Sequence, residues 1–149
     1  MRIEKAKSSD SAKLTELTFR SKAHWGYSKK QLEEWRDELT VTPTYIRHNQ
    51  VFKLTGHQQV IGFYAFRPEN KTDVKLDFLF MEPRFIGKGY GKHLMDDCTK
   101  RIRSLGYKTI TLDADPNAAT FYGKVGFRVI GQLQSSIKER FLPIMKMTF

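Results

Sequence analysis

The groups best placed to do chemistry in this chain belong to residues without side chains. In Ile86-Gly87-Lys88-Gly89-Tyr90-Gly91, glycines punctuate a predicted strand-to-helix turn. The apolar run Val74 to Met81 precedes it, and an amphipathic run from Tyr90 to Leu105 follows. A helix starts with backbone N–H groups that lack partners, and the positive end of its dipole lies there. Glycine leaves those groups bare and lets an anion approach the backbone closely. The stretch therefore predicts a site for a phosphorylated cofactor.

Other phosphate-binding patterns do not fit. A dinucleotide fingerprint needs a further glycine at position 92, which is Lys92. A nucleotide-triphosphate loop needs Gly-Lys-Ser/Thr after an intervening spacer, and that is absent. Lys88-Gly89-Tyr90-Gly91 has the start of an RNA-recognition strand, but Lys92-His93-Leu94-Met95 does not continue it. A second constellation, Asn117 through Phe127, follows the next predicted strand. Small residues near its helix start leave room for a ligand. Phe121 and Tyr122 are adjacent, so they project about 100° apart, one inward and one toward a cleft.

The elements that must position these residues can be read from periodicity. Arg2 to Lys5 predicts a short strand, and Asp10 to Lys22 a helix with Leu14, Leu17 and Ser21 on one side. Ser28-Lys29-Lys30-Gln31 fits a capping box and opens a second helix with Leu32, Trp35 and Leu39 on one face. Pro43 falls in an irregular segment. Val51 to Thr55 and Val60 to Phe66 predict a hairpin, and Lys71 to Met81 a further strand. Tyr90, Leu94, Cys98, Ile102 and Leu105 recur at helical spacing before Gly106. Thr109 to Asp113 alternates as a strand, and Asp115-Pro116 starts a helix with a capping carboxylate and a first-turn proline. Phe127 to Gln132 and Pro143 to Phe149 close the chain as strands. The order β-α-α-β-β-β-α-β-α-β-β predicts a mixed α/β sheet with helices on both faces, in a single domain over residues 1–149.

Composition narrows the partners. Lys plus Arg is 26 against 16 for Asp plus Glu, a net charge of +10. That balance favours anionic partners: nucleic acid, an acidic surface or a polyphosphate cofactor. Cys98 is the only cysteine, which excludes an intrachain disulfide and a thiolate metal cluster, and no metal site is read. No apolar run approaches the roughly 20 residues that span a bilayer, and Met1 to Lys5 lacks an apolar signal core. A cytoplasmic protein with no membrane partner is the expectation.

Taken together, the two constellations resemble the GNAT superfamily of acyl-CoA-dependent N-acyltransferases. Leu79 through Gly91 resembles the family's strand and pyrophosphate loop, and Asn117 through Phe127 its acyl-CoA-binding helix. The resemblance covers nearly the whole chain. It implies a central, mostly antiparallel sheet of about six to seven strands flanked by about four helices. One position departs: the family prefers Gln or Arg where this chain has Ile86. A loop that binds through backbone amides tolerates that change.

The resemblance also assigns roles. Backbone N–H groups of Gly87, Lys88, Gly89, Tyr90 and Gly91, in the loop that Ile86 opens and Lys92 follows, would hold the pyrophosphate of acetyl-CoA. Backbone groups across Leu79, Phe80 and Met81 would pair with the pantetheine arm as an added strand does. One N–H there would stabilise the oxyanion of the tetrahedral intermediate. Asn117 would contact the same arm, Phe121 would lie against the cofactor, and Lys92 and Lys124 would support its phosphates. Tyr122 would protonate the departing thiolate.

The implied reaction is direct attack of an amine on the thioester in a ternary complex. An alkylamine with pKa near ~10.4 is almost wholly protonated at pH 7, so a general base or a water chain assists. Asp77 is the first candidate, because it shares a strand face with Leu79 and Met81; its other reading is an ion-paired strand residue. Glu82 and His24 are reserves. His24, Trp25 and Tyr27, around Gly26, predict an acceptor pocket for a small-molecule or peptide amine, or else a packed helix end. The expected assembly is a monomer or homodimer. The rivals are a basic nucleic-acid-binding module and an acyl-CoA sensor of the same fold without catalysis.

Overall fold

The computed structural model describes residues 1–149. Its strands are β1 (Arg2–Lys5), β2 (Gln50–Gly56), β3 (Gln59–Pro68), β4 (Asp73–Met81), β5 (Thr109–Asp113), β6 (Arg128–Gln134) and β7 (Phe141–Thr148). Its α-helices are α1 (Ser11–His24), α2 (Lys29–Glu34), α3 (Arg36–Leu39), α4 (Pro43–His48), α5 (Tyr90–Ser104) and α6 (Ala119–Lys124). The sheet has seven strands in the order β1-β2-β3-β4-β5-β7-β6. The β4–β5 pair is parallel, and β1–β2, β2–β3, β5–β7 and β6–β7 are antiparallel. The expected mixed sheet is therefore present, and no helix is long and apolar enough to cross a membrane.

More helices form than the expected four or so. The predicted second helix divides at Trp35, which has left helical geometry (φ −93°, ψ 9°) while its N–H still reaches the Gln31 and Leu32 carbonyls. Leu32, Trp35 and Leu39 are nevertheless all buried, as the spacing predicted. Ser28 caps α2 by accepting from the Gln31 N–H at 3.1 Å. The segment around Pro43 is a helix rather than irregular. Thr42 Oγ1 caps it by accepting from the Tyr45 N–H at 3.0 Å, and proline sits in the first turn, where no donor is needed. The strand expected from Lys71 starts at Asp73, because Asn70 Oδ1 accepts from the N–H groups of Thr72 and Asp73, both at 2.9 Å, and holds a turn there. Leu105 lies beyond the last turn of α5 and is exposed, against its expected place on the apolar stripe. Gly106, at φ +90°, is the stop.

The chain forms two compact units, residues 1–66 with 78–97 and residues 67–77 with 98–149. The core of the first gathers Leu14 and Leu17 from α1, Val41, Ile46, Val51 from β2, Phe63 and Ala65 from β3, and Phe78 from β4. The β2–β3 hairpin turns through His57 and Gln58, both at positive φ. Its register slips between Leu54↔Gly62 and Thr55↔Val60, so Ile61 is a bulge. That bulge aims the Ile61 carbonyl at the Glu82 N–H, 2.8 Å away at the end of β4. In the second unit the β4–β5 pairing is registered from Asp73↔Thr109 to Lys75↔Thr111, while β5 runs on with β7 to Asp113↔Ile144. Its buried residues include Ile102, Ile110, Leu112, Tyr122, Phe127 and Met145.

Candidate active site

In the first unit, β4 passes into α5 through a tight turn at Pro83–Phe85. The Phe85 N–H donates to the Glu82 carbonyl at 2.9 Å and the Ile86 N–H to the Pro83 carbonyl at 3.2 Å. Phe85 is the buried pivot of the turn. His57 stacks on its ring at 5.7 Å, and Tyr90 meets it edge-on at 5.8 Å. The Arg84 guanidinium and Lys88 ammonium lie 4.9 and 5.8 Å from the same ring, which sets two cations beside the glycine loop.

Gly87 and Gly89 adopt φ +81° and +86°. A Cβ at either would meet nothing within 4 Å. Backbone twist, not crowding, thus requires glycine there, and the space in front of the loop is open. The helical bond from His93 N–H to the Gly89 carbonyl, 3.2 Å, ends the loop, so the amides of residues 87–92 precede it. Lys92, expected to support a phosphate, pairs with Asp96 at 2.8 Å on the exposed side of α5.

Along the end of β4, the half-buried Phe80 ring packs on Phe63 and Phe78 at the edge of the core. Met81 is buried and Leu79 half-buried. Gly62 on β3 lies hard against this end: a Cβ there would stand 2.5 Å from Met81 Sδ, 2.8 Å from the Phe80 carbonyl oxygen and 3.0 Å from Leu94 Cδ1. Glycine at 62 lets β3, β4 and α5 close up.

The acid–base candidates are all engaged. Arg67 Nε lies 3.0 and 3.3 Å from the two Asp77 carboxylate oxygens, so the ion-paired reading of Asp77 describes its geometry. Glu82 takes the Arg20 guanidinium with both oxygens, Nε at 3.1 Å. His24 is exposed and meets Trp25 edge-on at 5.0 Å.

The three expected pocket rings do not form one cluster: His24 meets Trp25, while Tyr27 turns to Trp35. Tyr27 packs edge-on against Trp35 at 4.9 Å, and Lys22 lies 5.6 Å from both of those rings. Trp25, 41% exposed, presents its surface with His24. A cavity of about 760 Å³ opens elsewhere in the same unit, lined by Asp10, Arg20, Lys53 and Glu82 among others but by none of these rings. Its opposite charges meet as Arg20–Glu82 and Lys53–Asp10 pairs.

In the second unit, Asp115 opens the turn Pro116–Ala118 that leads into α6. Its Oδ1 accepts from the Asn117 N–H at 2.9 Å and from Asn117 Nδ2 at 3.0 Å. Tyr122 is buried, with Phe121 and Phe127 edge-on at 5.3 and 5.5 Å. Its backbone carbonyl receives the Phe127 N–H at 3.0 Å, just past Gly126 at φ +113°. Burial, followed by Cys98 and Asp115, pushes the Tyr122 hydroxyl well above the ordinary tyrosine range, so it keeps its proton. Phe121 is half-buried, whereas Asn117 and Lys124 are exposed. Cys98 is fully buried and acts as a small core residue. Spacing gave no sign of Arg67 or Gly62, because each meets its partner only through tertiary contacts.

Comparisons with known proteins agree with this architecture. The acetyltransferase (GNAT) domain profile matches residues 14–149. The Uncharacterized N-acetyltransferase ycf52 of Porphyra purpurea is 33% identical over 102 residues, covering 68% of this chain and 58% of that protein. The chain thus aligns with under two thirds of that relative. The paia N-acetyltransferase of Thermoplasma acidophilum, solved with coenzyme A, superposes with a TM-score of 0.80 at 20% identity, over 99% of this chain and 98% of that one. A GCN5-related N-acetyltransferase of Rhodopseudomonas palustris gives a TM-score of 0.79 at 20% identity, over 99% and 95%. At that identity the superpositions speak for the fold, and the profile, which spans most of the sequence, decides the family: this chain belongs to the GNAT acetyltransferases.

Proposed function

We propose that this protein transfers an acetyl group from acetyl-CoA to a primary amine of a small molecule or peptide. The observation that carries the reading is the loop of residues 86–91. Its glycines at positive φ open the 15-residue helix α5 onto empty space with cations alongside, and such a loop suits a diphosphate. The coenzyme A in the Thermoplasma acidophilum relative supports the choice of cofactor. Loop amides hold the pyrophosphate, backbone groups of Leu79 to Met81 hold the pantetheine arm and the developing oxyanion, and Asn117 contacts that arm.

The neutral amine attacks the thioester carbon. A C–N bond forms, the C–S bond breaks, the excess proton on nitrogen passes to water, and Tyr122 donates a proton to the thiolate and regains one from water. Burial keeps the Tyr122 hydroxyl protonated before the step. In this reading Asp77 is structural, since Arg67 occupies it. Trp25, exposed at the end of α1, offers the acceptor an aromatic surface. The setting proposed is the cytoplasm.

Calorimetry with coenzyme A, then thiol release from acetyl-CoA across a panel of primary amines, tests the reading. Saturable binding and amine-dependent thiol release are expected. No binding heat at millimolar coenzyme A from folded protein would refute it. Binding without turnover for any amine would leave a cofactor-binding protein and refute the enzyme.

A further inference from the structure

The loop between β6 and β7 is tied to itself by its backbone. The Ser135 N–H donates to the Arg140 carbonyl at 2.9 Å and the Arg140 N–H to the Ile137 carbonyl at 3.1 Å. Gln134 Nε2 reaches the carbonyls of Ser135, Ile137 and Arg140 at 3.1, 3.3 and 3.2 Å. Arg140 then points two nitrogens in different directions. NH1 donates to Ser135 Oγ at 2.8 Å, inside the loop, while NH2 lies 3.5 Å from Asp115 Oδ2, outside it. The Asp115 carboxylate is divided in the same way: Oδ2 faces Arg140 while Oδ1 holds both donors of Asn117. The two side chains are only 16% and 9% exposed, so solvent screens the pair little.

We propose that Arg140 is a positioning residue that fixes the Asn117 turn through the two oxygens of Asp115, joining the β6–β7 loop to that turn as one rigid piece. Removing Arg140 takes a cation from beside a nearly buried carboxylate, a loss that costs more than the pair itself contributes. With Oδ2 no longer held by Arg140, the carboxylate is less fixed in orientation, and its Oδ1 holds Asn117 less firmly. A guanidinium serves Ser135 and Asp115 from two separate nitrogens, whereas the three donors of an ammonium all leave one nitrogen, which must lie near both acceptors at once. The consequence for the cofactor rests on the function proposed above, in which Asn117 contacts the pantetheine arm; Arg140 then tunes that contact without touching the ligand.

The test uses the full chain as wild type, Arg140→Gln, Arg140→Lys, Asn117→Ala and the Asn117→Ala/Arg140→Gln double variant. Hydrogen exchange on cofactor-free protein is expected to show the Asn117 and Ala118 amides exchanging roughly tenfold faster in Arg140→Gln, along with residues 135–140. Coenzyme A affinity should fall roughly tenfold in Arg140→Gln but by no more than about twofold when Asn117 is already alanine. Exchange at 117–118 that stays at the wild-type rate, or affinity losses that multiply in the double variant, would overturn the proposal. Arg140→Lys keeps the charge and guards against a misfolded glutamine variant. It should loosen both segments by about threefold, and wild-type exchange in it would equally overturn the proposal. Should wild type bind no coenzyme A, the enzymatic reading falls, and the exchange data alone decide whether the two segments are coupled.

Discussion

Gly62→Ala probes the close approach on which the proposed cofactor strand depends. The added methyl carbon would stand 2.5 Å from Met81 Sδ and 2.8 Å from the Phe80 carbonyl oxygen, where ordinary contact begins at 3.4 Å. The thioether can swing aside, but the carbonyl belongs to β4 and moves only with the strand. Relief therefore requires a shift of roughly half an ångström in the backbone of residues 80–81, away from β3. Overpacking of this kind costs about 1–3 kcal/mol. For a chain of this size a 2 kcal/mol loss lowers Tm by about 4–8 °C. The amides that move are those proposed to hold the pantetheine arm, so coenzyme A affinity should fall together with stability. Differential scanning calorimetry and titration with coenzyme A read both effects. A Gly62→Ala protein with wild-type Tm and wild-type affinity would refute both the packing argument and the role given to this stretch of β4.

Three further outcomes are expected. Tyr122→Phe should lower kcat roughly 100-fold and leave coenzyme A affinity nearly unchanged; full turnover with a good acceptor would remove Tyr122 from the mechanism. Asp77→Asn should leave the pH profile of kcat/KM in place while costing under about 1 kcal/mol of stability, since the Arg67 partner is 43% exposed; a displaced profile would return Asp77 to the reaction as its base. Asp10→Asn should reduce stability at neutral pH and flatten its acid dependence. Burial raises the Asp10 carboxyl, but the Lys7 N–H and the Lys53 ammonium outweigh it and hold the group below its ordinary 3.8. The folded state thus binds this proton less readily than the unfolded chain. Its stabilisation is complete above about pH 4 and is lost as pH falls through the lowered value. Equal acid denaturation curves for the two proteins would exclude this contribution.

Local chemistry made much of this fold legible. The glycines at 87, 89, 106 and 126 sit at positive φ as turns and helix ends require. Ser28 and Asp115 cap as their spacing indicated, and Leu94, Cys98 and Ile102 are buried on one stripe of α5. These features depend on residues within one or two turns of each other, and such distances are written in sequence. The helix at Pro43, where an irregular segment was expected, rests on equally local features, the Thr42 cap and the proline in the first turn. Leu105 was misplaced because a repeat does not mark which turn is the last.

Tertiary structure alone decided which charges are free to act. Asp77, Glu82 and Asp115 are each an ordinary carboxylate in the sequence, and each is committed by an arginine brought from a distant segment: Arg67, Arg20 and Arg140. The same holds for Gly62, whose missing side chain matters only because β4 and α5 close over it. An ion pair or a steric contact depends on distance in space, and separation along the chain carries no record of that until the sheet has brought its strands together.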